Sequence, residues 1–348
     1  MKVTLPFGRK KAHIGVVIED AGIRIAEAKK TSVGYTMQQA ALIPVEHGDI
    51  VGGKILNGEA VELQLALAVK DFQVKKKKAV LAVPSSFVVI RKVNIPKVKP
   101  AEVRPLLEIE LESTIHLPFS RPYFDFYKVE NESPLPKKED RAADDEGLQL
   151  EEDTYLLVAA PGDCIDQYVS LMKTFDIEVI AVDIEPLALY RLLYAQEPDH
   201  KQNIMFVQLG IHSVNVSIFQ RDMPEFLRNI PLALANYEVA ATKQTYSASD
   251  LGYLVDNSNL YSFVNDLVRE LERVISFYQF SMKNDGTRVE TIYITGNFPS
   301  LEHICHFLQQ RMNSVEVTLF PIHQIAHAFE EPASLHGFTV AVGLSLRG

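Results

Sequence analysis

Hydrophobic positions along the chain fall into short, well-bounded patterns. Ile14, Val16 and Ile18 lie two apart, Asp20-Ala21-Gly22 follows as a turn, and Ile23, Ile25 and Ala28 open a return. Residues 12–30 therefore predict two strands, and a third is expected near 40–45. Glycines 48, 52, 53 and 58 mark a loop and hairpin. In 59–74 the apolar residues at 61, 65, 68, 69 and 72 share one face of a helix. The lysines at 75–78 suit its negative C-terminal end. AVLAVP at 79–84 is a continuous apolar run ended by proline, as in a buried strand. Next come a strand over 86–96, broken by Pro96 and Pro100, and a helix over 101–116. Aromatic alternation predicts a strand over 123–129. The polar, acidic stretch 131–153 reads as a mobile loop. Beyond it lie a strand (154–161), a helix (162–175), a strand (178–184) and a helix (186–195).

The second half opens afresh. Residues 203–210, 214–220 and 223–232 predict a meander of three strands, as 12–45 does. Residues 236–258 are less regular, with one helix expected. A long helical pattern covers 260–282, with Leu260, Phe263, Val264, Leu267, Leu271, Val274, Ile275 and Tyr278 on one face. A strand over 291–296, a helix over 300–312 and a strand over 315–320 follow. Residues 338–346 fit either a helix or an extended run. The letters of the halves differ while the order of elements repeats, so the chain reads as a duplicated domain.

Composition narrows the class. The 348 residues carry 35 basic and 45 acidic side chains, a net charge of −10. Segment 139–153 alone holds eight acids and one arginine, or −7, which leaves −3 for the rest. The acidity thus belongs to one insertion, and a nucleic-acid-binding face is disfavoured. Cys164 and Cys305 have no paired spacing that would suggest disulfides or zinc. The opening MKVTLPFGRKK has no apolar core of a signal peptide, and no run nears the roughly 18 apolar residues of a membrane span. Cytoplasmic residence is the expectation.

Several constellations have ordinary readings. His303 and His306, and His323 and His327, have helical spacings that can hold metal, but without accompanying carboxylates or thiols they read as surface histidines. Ser85-Ser86 after Pro84 lacks a nucleophile elbow and reads as a strand-end turn. Gly52-Gly53 reads as a hairpin loop, since no helix starts directly after it. The lysines at 75–78 and Arg9-Lys10-Lys11 suit either anionic lipid or helix capping and a solvated tail.

Eight blocks, in order, resemble the type IV pilus assembly protein PilM family. They are LPFGRKKAHIGVVIEDAGIRIAE, VLAVPSSFVVIRKVNIP, LLEIELESTIHLPFSRPYFDF, YLLVAAPGDCIDQYVSLMKTFDIEVIAVDIEPLALYRL, IMFVQLGIHSVNVSIFQRDMPEFLRNIPL, LVRELERVISFYQF, IYITGNFPSLEHICHFLQQRM and VAVGLSLR. The resemblance implies an α/β, actin-like ATPase (ribonuclease H-like) duplicated fold with an inserted subdomain of the FtsA/PilM type. The implied parts are a first core subdomain (12–85 with 182–200), the insert (86–181) with its acidic loop, a second core subdomain (202–235 with 290–348) and a helical subdomain (236–289) flanking the adenosine side.

In such a fold, Gly-rich hairpins hold nucleotide because backbone N–H groups must approach phosphate, and carboxylates hold Mg²⁺ or orient water. The first hairpin's Asp-Ile-Gly is here Val17-Ile18-Glu19, which sets an acid against the phosphate. The second keeps Gly210 but has Gln208 in place of a carboxylate. Pro231-Leu232-Ala233 replaces a Gly-Gly pair, and Gly296-Asn297 replaces the adenosine turn. Glu270 and Arg273 match the family's Glu-x-x-Arg beside adenine, although an exposed ion pair one turn apart is the favoured reading of them. Gly210, Glu270, Arg273 and Gly296 are thus the candidate remnant of a nucleotide site. Neither catalytic nor metal-binding residues are expected, and ATP with Mg²⁺ is disfavoured as a cofactor.

The resemblance implies a cytoplasmic adaptor or scaffold of a type IV pilus, competence pseudopilus or related secretion platform. Its implied partner is the cytoplasmic N-terminal peptide of a PilN-like membrane protein, bound in a groove between the first core subdomain and the insert. The alternatives are an active actin-like ATPase, which needs acids where Val17 and Gln208 stand, and an FtsA-like polymer. The latter class carries a C-terminal amphipathic membrane helix, which is not expected after GLSLRG.

Overall fold

The computed structural model describes residues 13–31, 34–69, 77–129, 151–233, 257–298, 301–322 and 332–347. The helix expected in 236–258, His323 and His327, Arg9-Lys10-Lys11, lysines 75 and 76, and the acidic stretch through 150 lie outside these, apart from 257–258. The chain forms two compact units, Met1–Ser86 with Asp166–Gly348, and Phe87–Ile165.

The larger unit is built on two five-stranded sheets. In the first, β1 (Ile14–Glu19), β2 (Gly22–Thr31) and β3 (Gly34–Pro44) form an antiparallel meander. β6 (Lys78–Val83) adds parallel to β1, and β10 (Glu178–Ile184) adds parallel to β6. In the second, β11 (Asn203–Leu209), β12 (Val214–Gln220) and β13 (Met223–Ile230) form the meander. β14 (Thr291–Gly296) and β15 (Glu316–Leu319) continue it in parallel. The two strand orders, β10-β6-β1-β2-β3 and β15-β14-β11-β12-β13, are the same topology used twice. A small hairpin, β4 (Ile50–Val51) with β5 (Lys54–Ile55), follows the first meander.

Central strands bury both faces, which is why β6 reads as a continuous apolar run and why Gly15 and Val17 of β1 are buried along with Ile14, Val16 and Ile18. Helices α1 (Gly58–Val69), α4 (Glu185–Gln196) and α7 (Thr339–Ser345) pack with the first sheet, so 339–345 does not lie with the second core subdomain as expected. The ambiguous 338–346 run is helical at 339–345, where every residue of α7 is buried. Its backbone comes so close to β1 that a Cβ on Gly15 would lie 1.9 Å from the Ala341 carbonyl oxygen. Only glycine permits that contact.

In the second half, α5 (Asn257–Ser276) and α6 (Leu301–Arg311) pack onto their sheet. Leu260, Phe263, Val264, Leu267, Leu271, Val274 and Tyr278 are all buried there. After Ser276 the long helix continues in π geometry over Phe277–Lys283 and ends at Asn284, whose φ is +48°.

The smaller unit contains β7 (Val89–Pro96), α2 (Pro100–Ser113), β8 (Pro122–Lys128) and β9 (Glu152–Pro161). Its sheet order is β7-β9-β8, with β9 antiparallel to both neighbours. Val93, Ile95, Tyr155, Leu157 and Ala159 meet Val103, Leu107 and Leu111 of α2 in its core. Helix α3 (Gly162–Thr174) begins in this unit and continues into the larger one.

The structure corrects several boundaries. The third strand starts at Gly34, not near 40, because it pairs with the whole length of β2 across a bulge at Glu27/Ala28. The inserted unit ends at Ile165 and not at 181, because β10 pairs with β6 in the first core sheet. Glu152 and Asp153, expected in the acidic loop, belong to β9. Helix α5 shares one core with the second sheet, so the described part of 236–289 is not a body of its own.

Candidate functional site

The ends of β1, β11 and β14 converge with the start of α4, the place where the two hairpins of a nucleotide site would meet. Val17 and Ile18 are buried, and Val17 belongs to the shared apolar core. The first polar position at the strand end is the half-buried Glu19. Its carboxylate is bonded by Arg24 from β2, a cation with 3% of its side chain exposed. The Arg24 guanidinium stands 5.9 Å from the Phe338 ring centroid. From the second half, Asn297 Nδ2 donates to the Glu19 carboxylate at 3.2 Å. Burial pushes the Glu19 carboxyl above its ordinary value, and Arg24 opposes the shift.

A second carboxylate lies beside the first. Glu185 opens α4 and is buried. It accepts from the Ser85 backbone N–H at 3.0 Å and from Ser85 Oγ at 2.5 Å. Burial pushes its carboxyl up to about 7; hydrogen bonds from Ser85 and Gln208 hold it back, and the charge of Glu19 adds to the rise. Asp20 is engaged as well. Its two carboxylate oxygens accept from the amides of Gly52 at 2.9 Å and Gly53 at 2.8 Å. The Gly-Gly turn of the β4–β5 hairpin thus holds a carboxylate of its own chain.

Of the four residues singled out from sequence, the structure brings two together. Gly296, at φ +120°, sits against Leu209 so closely that a Cβ would lie 2.2 Å from the Leu209 carbonyl oxygen. The amides of Asn297 and Phe298 donate to that same oxygen at 3.0 and 3.1 Å. Gly210 closes the adjoining turn, its N–H donating to Ser213 O at 2.9 Å. Glu270 and Arg273 are not part of this network. They bond each other on α5, and Glu270 faces Arg228 of β13 at 3.8 Å. Arg273 is 70% exposed, so the surface ion pair is the reading the geometry supports.

Sequence reasoning missed Arg24, Glu185 and the use of Ser85. The signals were an arginine inside an apolar strand and an acid set between a buried strand and Pro186. Neither becomes chemistry until the folded chain places them beside Glu19.

These donors do not fit a Mg-bound triphosphate at this spot. A phosphate there would meet Glu19, whose charge is satisfied by Arg24 and Asn297, and a buried Glu185. Among the described residues no three His, Cys, Asp or Glu side chains are placed to hold a metal ion. His306 is hydrogen-bonded to Gln310 at 2.9 Å. The Cys305 thiol is pushed up to about 11 by burial. Among the described residues no helix is long and apolar enough to cross a membrane.

Comparison with known proteins bears on the fold and the family. No curated protein sequence matches the chain. A solved structure titled "PilM-PilN type IV pilus biogenesis complex" superposes with a TM-score of 0.73 at 18% identity, covering 97% of this chain and 98% of that one. The ethanolamine utilization protein EutJ from Carboxydothermus hydrogenoformans superposes with a TM-score of 0.48 at 11% identity, covering 98% and 91%. The fold is the mixed α/β actin-like one. The family described as type IV pilus assembly protein PilM matches residues 15–348, and the chain belongs to that family.

Proposed function

We propose that this protein is a nucleotide-independent adaptor of the type IV pilus assembly platform. It would act at the cytoplasmic face of the inner membrane, held there by the cytoplasmic N-terminal peptide of a PilN-like membrane protein. The likeness to the PilM–PilN complex supports the partner. The observation that carries nucleotide independence is the Glu19–Arg24–Asn297 network at the meeting point of the hairpins. Extended peptides bind by backbone hydrogen bonds and apolar pockets, which require no phosphate chemistry. An adaptor can therefore lose its hairpin acids and keep its fold.

Isothermal titration tests the reading. The purified chain is titrated with Mg-ATP and then with the N-terminal cytoplasmic peptide of the PilN-like protein from the same source. Peptide binding without ATP binding is expected. Tight ATP binding with turnover would return the protein to the active ATPases. The variant Val17→Asp, Glu19→Gly, Gln208→Asp should gain ATP affinity relative to the native chain; an unchanged titration would mean that the loss extends beyond the hairpins.

A further inference from the structure

Within the smaller unit, a cleft of about 500 Å³ opens between the C-terminal half of α2 and the start of β8. Its lining mixes apolar side chains with polar ones, among them the exposed Ser113 and His116. Leu111 is buried, and Leu117, Phe119 and Phe124 are half-buried. Its rim carries Glu108 and Glu112, both exposed and one helical turn apart. Arg104, one turn earlier on α2, is engaged elsewhere: it pairs with Asp125 at 3.4 Å and stands over the rings of Phe124 and Phe126 at 4.7 and 5.3 Å. The helix therefore presents two carboxylates beside the apolar side chains of Leu117, Phe119 and Phe124, and β8 forms an edge of the sheet.

We propose that this cleft receives an extended basic–apolar–basic peptide segment, with Glu108 and Glu112 pairing its cations and the apolar side chain packing toward Phe124. The spacing fits. Residues four apart on a helix face have Cβ atoms about 5–6 Å apart. Alternate residues of an extended chain lie roughly 6.6 Å apart on one side, and the residue between them points the other way. Two cations on alternate residues thus match the two carboxylates, while the intervening side chain faces the β8 side. Charge complementarity of this kind selects the sequence, and the apolar side chains supply desolvation. The inference goes beyond the adaptor reading and is tested without the membrane partner's peptide.

The test pans a phage-displayed library of random peptides against the full chain. An enriched sequence is then synthesised and measured by fluorescence anisotropy. Enrichment of basic–apolar–basic segments is expected. Glu108→Lys with Glu112→Lys should weaken binding by about tenfold or more, and an acidic–apolar–acidic peptide should gain on that variant. Both positions are exposed, so the variant should fold, and its far-UV spectrum checks this. Enrichment of unrelated sequences, no enrichment, or affinity indifferent to the charge reversal overturns the proposal. A concentration-dependent dimer that the reversal dissolves also overturns it, and assigns the cleft to a second copy of the chain.

Discussion

The β1–β2 and β11–β12 hairpins occupy equivalent places in two sheets of the same topology, and they have diverged in opposite ways. The first carries Glu19 where the family pattern implies a glycine, and surrounds it with Arg24 and Asn297. The second keeps Gly210 and its tight turn but has Gln208 where an acid would serve metal chemistry. One fills its space with charge, and the other keeps a tight turn without a carboxylate. Strand order and buried apolar faces maintain the duplicated fold, and neither depends on what the turns carry. The site can therefore change its chemistry while the scaffold persists.

The largest expected break in this comparison is on the first hairpin. Arg24→Leu leaves Glu19 partly buried beside Glu185 without its main cation, and should cost about 3 kcal/mol in urea unfolding. Gln208→Ala on the second hairpin should cost less than half as much, because it removes a neutral donor. Equal losses would mean that the Arg24–Glu19 ion pair does not carry the stability assigned to it.

Acidity gives the next effect. The folded protein holds the Glu185 proton up to about pH 7, whereas the ordinary value is 4.5. Between those values the native state binds more protons than the unfolded chain, so stability falls as pH rises. The contribution is fully present below about pH 4.5 and is lost as pH rises through about 7. It amounts to as much as about 3 kcal/mol. Denaturant midpoints from pH 5 to pH 8 should fall in the native chain and fall less in Glu185→Gln. Parallel curves would remove Glu185 as the cause.

The smallest effect is expected at Arg273, the exposed member of the ion pair on α5. Arg273→Ala should change stability by about 0.5 kcal/mol or less. A loss of 2 kcal/mol or more would show that the pair does more than decorate a helix.

Much of the fold was legible because its elements are simple in pattern. Eight apolar positions from Leu260 to Tyr278 marked the long helix through helical spacing, and all but the half-buried Ile275 are buried. The two meanders showed in period-two runs and their turns. The end of the insert was not legible, since EVIAVDI has the same look whichever sheet it joins, and only pairing with β6 decides. The helical state of α7 was hidden because a helix buried on all sides has no polar face to report its period. At the site, Gly210 and Gly296 could be read from local turn chemistry. Arg24 and Glu185 could not, because their partners are set by the folding of distant segments.

The Asp20 carboxylate seated on the amides of Gly52 and Gly53 has a consequence for competition. It is a ligand tethered to its own receptor. Even a flexible short tether presents its group at roughly millimolar effective concentration, and a hairpin in a sheet positions it with less freedom to lose. A free anion seeking those two amides must displace a resident that never diffuses away. The turn is thus saturated from the moment the chain folds, whatever anions surround it.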